Sequence, residues 1–95
     1  MSHEGYEWDE RKAAANFARH GVAFEAACRV FEDPFALEWL DDREDYEEAR
    51  FVILGMVDGR IIVVVYTMRG DIVRIISARG AEPHEKRKYH EEEDE

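Results

Sequence analysis

Five polar side chains in the second half of the chain are suited to binding phosphate. They are Arg50, Thr67, Arg69, Arg74 and Arg79. A guanidinium group remains charged at any relevant pH, and its planar fork of N–H donors matches the oxygen atoms of a phosphate. The sequence therefore suggests a site for a phosphorylated ligand, provided that the fold brings these side chains together.

A three-stranded β-meander would bring them together. Segments 51–57, 60–69 and 72–78 are rich in β-branched residues, as is typical of strands. They are separated by Asp58-Gly59 and Gly70-Asp71, and each pair is a signal for a two-residue hairpin. Two-residue turns fix the strand register, so the partners of individual residues can be predicted.

In that register, Val65 lies between Val52 and Ile76. Two positions along, Arg50, Thr67 and Arg74 form one row on one face of the sheet, and neighbours in a row lie about 5 Å apart at Cβ. Arg69 shares this face. Arg79 has the opposite parity to Arg74, so it joins the row only if the third strand ends or bulges near Ala78. A competing interpretation is that these arginines only solvate the rim or pair with acids such as Glu47 and Glu48.

Both faces of this meander are apolar, so each needs a cover. The face of the arginine row carries Val52, Leu54, Val63, Val65 and Ile76. The opposite face carries Phe51, Ile53, Ile62, Val64, Tyr66, Val73 and Ile75. We expect two N-terminal helices to cover one face, and a C-terminal helix or a partner chain to cover the other.

The remaining elements follow from capping and breaking signals. The alternation at 5–8 predicts a short strand, and Asp9 is an N-cap for a helix that ends at His20-Gly21. A second helix is predicted over 25–32, where Asp33-Pro34 stops it. We expect a strand at 35–40, an exposed loop at 41–48 and a last helix from Glu82-Pro83. The predicted fold is α+β: a small antiparallel sheet, made of the meander and one or two N-terminal strands, packed with two N-terminal helices and one C-terminal helix.

Length and composition indicate a single domain over residues 1–95, with mobile ends at 1–4 and 91–95. The 45% apolar content argues against disorder. The first residues lack a signal-peptide pattern, and the longest apolar run, 61–66, is too short to span a membrane. We therefore expect a soluble cytoplasmic protein. Cys28 has apolar neighbours and is interpreted as a buried core residue.

The charge is divided along the chain. The net charge is −10, which argues against a general nucleic-acid-binding surface. Segment 25–48 holds ten acids and two bases, for a net charge of −8, whereas segment 50–80 holds five arginines and two aspartates, for a net charge of +3. A local basic face therefore survives in an acidic chain, and the acidic parts suit a basic partner protein.

The order of motifs resembles the BrnT toxin family of bacterial type II toxin–antitoxin systems, over nearly the whole chain. The matching residues are Trp8-Asp9, Lys12, Asn16, His20-Gly21-Val22, Phe24-Glu25, Val30-Phe31, Asp33-Pro34, Arg50-Phe51, Leu54-Gly55, 64–67, 74–79, Glu85 and Tyr89. The resemblance implies a RelE-like fold and a ribonuclease that arrests translation. It also implies neutralisation by a BrnA-type antitoxin, with a homodimer or a heterotetramer as possible assemblies.

For RNA cleavage without a metal or another cofactor, the five phosphate-binding candidates become the expected catalytic residues. Arginines would stabilise the charge that develops on the phosphate. Lys12 and Tyr89 are expected to bind substrate, and Tyr89 could assist proton transfer. His20 is either a general base or, since it ends a helix, a cap for carbonyl groups. Trp8 and Trp39 are either base-stacking or packing residues.

Two other functions remain open from the sequence. The acidic balance and Gly80, at a position that is often basic in relatives, favour a catalytically weak or inactive toxin homologue that binds an antitoxin and regulates its repression. The second apolar sheet face suggests instead a small dimerisation domain.

Overall fold

The computed structural model describes residues 2–43 and 47–93. Within these residues, six strands form one sheet in the order β1-β2-β6-β5-β4-β3. The strands are β1 (Ser2–His3), β2 (Tyr6–Glu7), β3 (Leu37–Asp41), β4 (Arg50–Val57), β5 (Arg60–Arg69) and β6 (Ile72–Gly80). The helices are α1 (Glu10–His20), α2 (Phe24–Ala27), which continues into a 3₁₀ helix at Cys28–Glu32, and α3 (Pro83–Glu93). The predicted α+β class, with its meander and its N- and C-terminal helices, is confirmed.

The sheet is mixed, which corrects the predicted antiparallel arrangement at one strand pair. β2 pairs with β6 in parallel, with Tyr6 opposite Val73 and Glu7 opposite Arg74. No tight turn joins these two strands, because the helices and the meander lie between them in the chain. Their relative direction is therefore not constrained by hairpin geometry.

The meander follows the predicted turns. Asp58 and Gly59 both have positive φ, 51° and 78°, as a type I′ hairpin turn requires. Val52 is opposite Val65 as predicted. The β4–β5 ladder runs from Val57–Arg60 to Phe51–Tyr66, one position short of Arg50 and Thr67. Thr67 is opposite Arg74 as predicted.

A β-bulge in β6 corrects the second half of the β5–β6 register. Tyr66 is opposite Ile75, but Val65 is opposite Ser77 rather than Ile76, so Ile76 is the extra residue. A one-residue insertion reverses the parity of every later residue in the strand. Arg79 is consequently opposite Val63 and shares the face of Arg74, which the unbulged register did not allow.

Helices cover the two sheet faces as expected. The α1–α2 side packs Trp8, Val22, Phe24, Ala27 and Val30 against Ile53, Ile62, Val64, Tyr66 and Ile75. We call this the closed face. The other side, which we call the open face, packs Val52, Leu54, Ile61 and Val63 under Tyr89 of α3.

Local signals set the ends of α1. The Asp9 carboxylate accepts hydrogen bonds from the backbone N–H groups of Arg11 and Lys12, at 2.9 and 3.1 Å. Gly21 ends the helix with φ 71° and donates its N–H to the Phe17 carbonyl. These contacts confirm the predicted cap and stop.

Three boundaries differ from the predictions. The third strand begins at Leu37, not at 35, because the Asp33 carboxylate and carbonyl accept the N–H groups of Phe35 and Ala36 and form a turn. The second half of the predicted second helix is 3₁₀. In the predicted loop 41–48, Asp41 instead ends β3 and is buried beside Arg43, and residues 44–46 lie outside the described residues.

The chain ends are structured within the described range. Ser2–His3 form β1, and α3 continues to Glu93. The mobility expected for 1–4 and 91–95 stays a prediction, and residues 1, 94 and 95 lie outside the described residues.

Candidate active site

Five of the seven predicted site residues lie in one open groove of about 360 Å³ at one end of the sheet. The groove is lined by Lys12, Glu47, Glu48, Arg50, Thr67, Arg69, Arg74 and Ile76. Four cationic side chains therefore converge on one hollow, and two carboxylates share it. We call this hollow the cationic groove.

Thr67 forms the buried floor of the groove. Its side chain is almost inaccessible, and its hydroxyl donates to the Ala49 carbonyl at 2.7 Å. This bond ties the segment before β4 to β5 and places Arg50, the next residue, at the groove. The hydroxyl oxygen retains acceptor capacity, since its proton is used by Ala49.

Arg74 lies on β6 directly opposite Thr67 and is about three-quarters buried. One of its terminal nitrogens, Nη1, donates to Glu7 of the neighbouring β2. A guanidinium has five N–H donors, so this single contact holds the side chain and leaves other donors for a ligand.

The other cations reach the groove from separate elements. Arg69, at the end of β5, pairs with Glu48 at 3.5 Å, and both side chains are about half exposed. The expected pairing of an arginine with Glu48 is thus present, although an exposed pair of this kind contributes at most about 1 kcal/mol. Lys12 comes from the first turn of α1, where the Asp9 cap fixes its backbone.

Arg79 does not join the cationic groove, even though the bulge returns it to the same face. Its two terminal nitrogens donate to both oxygens of Glu85 in α3, at 2.8 and 3.0 Å. The Arg79 hydrogen bond holds the pKa of Glu85 below its usual range, and Glu85 in turn raises the pKa of Arg79. Arg79 lines a second hollow of about 280 Å³ with Ser77 and Trp39.

Tyr89 also lies apart from the groove. Only 2% of the residue is exposed, and its hydroxyl donates to Asp33 at 2.7 Å. Burial alone would raise the pKa of Asp33, but hydrogen bonds from the N–H groups of Met56 and Phe35 and from Tyr89 outweigh burial and lower it. Asp33 thus holds together the turn before β3, β4 and α3.

Close packing around Asp33 explains Gly55. A β-carbon at position 55 would lie 2.8 Å from Cγ2 of Val30 and 3.2 Å from the Asp33 carboxylate. Only glycine fits without movement of this cluster. The close packing thus involves three of the residues that carry the family resemblance, and it connects the turn before β3 to β4 and α3: Asp33, Gly55 and Tyr89.

Glu7 is a site residue that the sequence analysis missed. It reaches Arg74 only because β2 joins the sheet beside β6. The short strand at 5–8 was predicted, but no local signal gave its neighbour. Charge was the one signal for Glu7, because an arginine that is largely buried requires an acidic partner.

The remaining candidates fall in structural positions. Asn16 is buried. Its side-chain amide donates to the Ala78 carbonyl and accepts from the Ala78 N–H, as a neighbouring strand would. Cys28 is buried, which together with Glu25 raises its pKa to about 11, so it remains a thiol.

Trp8 belongs to the closed-face core, while Trp39 is 39% exposed. His20 ends α1, and its carbonyl lies 3.5 Å from Arg60.

Over residues 2–43 and 47–93, no three His, Cys, Asp or Glu side chains are grouped as a metal site would need. None of the helices in these two ranges has the length and apolarity needed to cross a bilayer.

The described residues define a small α+β protein whose sheet carries a cationic groove at one end. The family described as "Ribonuclease toxin, BrnT, of type II toxin-antitoxin system" matches residues 8–85. This match covers more than four-fifths of the chain, and the protein belongs to that family of ribonuclease toxins. A toxin of a type II system has an antitoxin as its partner. No curated protein matched the chain.

Proposed function

We propose that this protein cleaves RNA in the cytoplasm without a metal ion, thereby inhibits translation, and is neutralised by a BrnA-type antitoxin. Family membership supports ribonuclease activity. The observation that carries the rest is the cationic groove, in which four cations surround Thr67. Such a groove can bind the scissile phosphate by charge and hydrogen bonds alone.

In this reaction the ribose 2′-hydroxyl attacks phosphorus. A bond forms between the 2′-oxygen and phosphorus, and the bond from phosphorus to the 5′-oxygen breaks, leaving a cyclic phosphate and a 5′-hydroxyl. Negative charge increases on the non-bridging oxygens in the transition state. We assign the stabilisation of that charge to Arg74 and Arg50, because both line the groove beside Thr67.

Two protons must move in this step. One leaves the 2′-hydroxyl and one reaches the 5′-oxygen. Glu47 and Glu48 are the carboxylates that line the groove, so we assign proton acceptance to one of them. Lys12 of α1 also lines the groove and is the candidate proton donor to the 5′-oxygen. Tyr89 and His20 take no part in this assignment, since neither lines the groove.

The test is cleavage of end-labelled RNA by purified protein in excess EDTA. We expect products with cyclic or 3′-phosphate and 5′-hydroxyl ends, and no cleavage where the scissile nucleotide carries 2′-deoxyribose. The double variant Arg50→Ala, Arg74→Ala should be inactive while retaining the wild-type melting temperature within a few degrees. Full cleavage by the folded double variant would exclude the groove as the active site. Cleavage that stops in EDTA and returns with Mg²⁺ would exclude the metal-free reaction.

A specific observation favours a second candidate function, that of a catalytically weak homologue which binds the antitoxin and regulates repression. Carboxylates already engage three of the predicted cations: Glu7 pairs with Arg74, Glu48 with Arg69 and Glu85 with Arg79. An RNA phosphate must compete with them. This function predicts tight antitoxin binding and no cleavage at any protein concentration.

A further inference from the structure

The outer edge of β3 has features of a protein-docking site. β3 is the last strand in the sheet order and pairs with β4 along one side. Its other side meets no further strand among residues 2–43 and 47–93. An edge of this kind presents unpaired backbone donors and acceptors, which can accept another strand.

Apolar side chains flank this edge on both faces of the sheet. Trp39, on the rung with Val52, belongs to the open face, and 39% of it is exposed. Leu40, on the rung with Phe51, belongs to the closed face, and 53% of it is exposed. An added strand would therefore find an apolar anchor above and below the sheet plane.

The acidic charge of the β3 edge favours a basic strand as its partner. Glu38 and Asp42 are exposed at β3, within the segment 25–48 whose net charge is −8. A second copy of this chain would place like charges opposite one another, and such pairs are destabilising. A strand that alternates apolar residues with lysine or arginine would satisfy the backbone, the anchors and the charge together.

We infer that the β3 edge, residues 37–42, binds an extended basic segment of the antitoxin by strand addition. This inference uses the proposed antitoxin only as the source of the segment and does not depend on RNA cleavage. The cationic groove lies at a separate place in the fold, lined by none of the residues 37–42.

The first experiment uses a synthetic peptide with four Lys-Val repeats and a matched peptide with four Glu-Val repeats. Hydrogen–deuterium exchange of the full protein should show slower exchange at 37–41 with the basic peptide and no change with the acidic one. Equal protection by both peptides, or no protection at 37–41, would overturn the proposal.

Two variants separate the edge from general surface effects. Leu40→Lys removes an apolar anchor and adds a like charge, so the basic peptide should bind about tenfold more weakly. Phe17→Lys is the matched control, because Phe17 is 56% exposed on α1 and lies away from β3. Its affinity should equal that of the wild type. Equal losses in the two variants would contradict the assignment to β3.

The second experiment uses the antitoxin encoded with this protein. In the complex, residues 37–41 should gain protection, and Leu40→Lys should weaken complex formation while RNA cleavage by the variant alone is unchanged. Protection confined to other segments would overturn the inference. Absence of cleavage with protection at β3 would count against the catalytic proposal alone.

Discussion

The two faces of the sheet are covered in different ways. The closed face packs against α1, α2 and the 3₁₀ helix, with the Trp8 and Phe24 rings edge to face and Phe31 against Tyr66. The open face is covered by α3, which contributes one buried residue, Tyr89, among its described side chains. Hollows at two places on the open face remain accessible to solvent.

We expect the closed face to stabilise the fold and the open face to carry the binding surface. At the closed face, apolar residues of the sheet pack against apolar residues of the helices. This face can therefore provide most of the apolar burial that stabilises the fold. α3 is highly charged, and Glu85 and Tyr89 attach it to Arg79 of β6 and to Asp33. The candidate arginines line hollows on the parts of the open face that α3 leaves accessible to solvent.

The largest expected effect is on the closed face. Phe24 is fully buried, so Phe24→Ala should lower the free energy of unfolding by about 3–5 kcal/mol through lost burial and a cavity. Urea denaturation measures this loss. Phe17→Ala is the matched control, since its exposed ring should change stability by no more than about 0.5 kcal/mol. Similar losses in both variants would show that the closed face does not dominate stability.

The next effect separates the two arginines of the open face. Arg74→Ala should lower the rate of RNA cleavage by about 10²–10³-fold, the usual result of removing one transition-state donor. Arg79→Ala should lower it by less than about tenfold, because Glu85 already occupies both of its terminal nitrogens. Single-turnover cleavage of labelled RNA compares them, with melting temperature as a check on folding.

Glu7→Gln is the control for the ion pair of Arg74. It removes the carboxylate charge but retains the guanidinium, so cleavage should persist. A larger loss in Arg79→Ala than in Arg74→Ala would move the active site to the second hollow.

A smaller effect tests how α3 is attached. Tyr89→Phe deletes the hydroxyl that donates to Asp33 and should cost about 1–2 kcal/mol of stability, because hydrogen bonds to charged groups are stronger than neutral ones. Hydrogen exchange should accelerate in α3 and leave α1 unchanged. Uniform acceleration in both helices would show that the two faces open together.

The sequence predicts the meander well because its information is local. Two turn dipeptides set the register, and the Val52–Val65 and Thr67–Arg74 pairs follow from counting residues. The bulge at Ile76 has no such marker, since neither glycine nor a turn residue stands there. It adjoins a contact between Asn16 and Ala78, 62 residues apart, which no local pattern reveals.

For the candidate site, too, the residues related by local hairpins were predicted and those related by distant contacts were not. Arg50, Thr67 and Arg74 were found together because hairpin registers bring them together. Glu7 was missed because its parallel pairing with Arg74 joins distant parts of the chain. For Arg79, counting residues predicted a face that the bulge reverses, and no local pattern indicated the bidentate contact with Glu85.

Motif resemblance identified important residues without giving their roles. Tyr89 was expected at the substrate, yet it is buried and bonded to Asp33. A tyrosine can act in chemistry or in packing, and only its surroundings decide between them.

The smallest expected effect is the dependence of stability on acid. The folded-state pKa values of Asp33 and Glu85 are lowered, so their contribution to stability is fully present above the unfolded pKa, near 4, and is lost as pH falls through the folded values. Both carboxylates attach elements to α3. Acid should therefore loosen the cover of the open face, with a loss of about 1 kcal/mol.

Denaturation curves between pH 6 and pH 2 measure this loss. Asp33→Asn keeps the shape of the side chain but removes its titration, so the decline in stability at low pH should become shallower than in the wild type. Asp9 also has a lowered pKa, from the N–H groups it caps on α1, and it remains in the variant as an internal reference. An unchanged slope in Asp33→Asn would assign the acid sensitivity to the carboxylates that remain, Glu85 at α3 and Asp9 at the α1 cap.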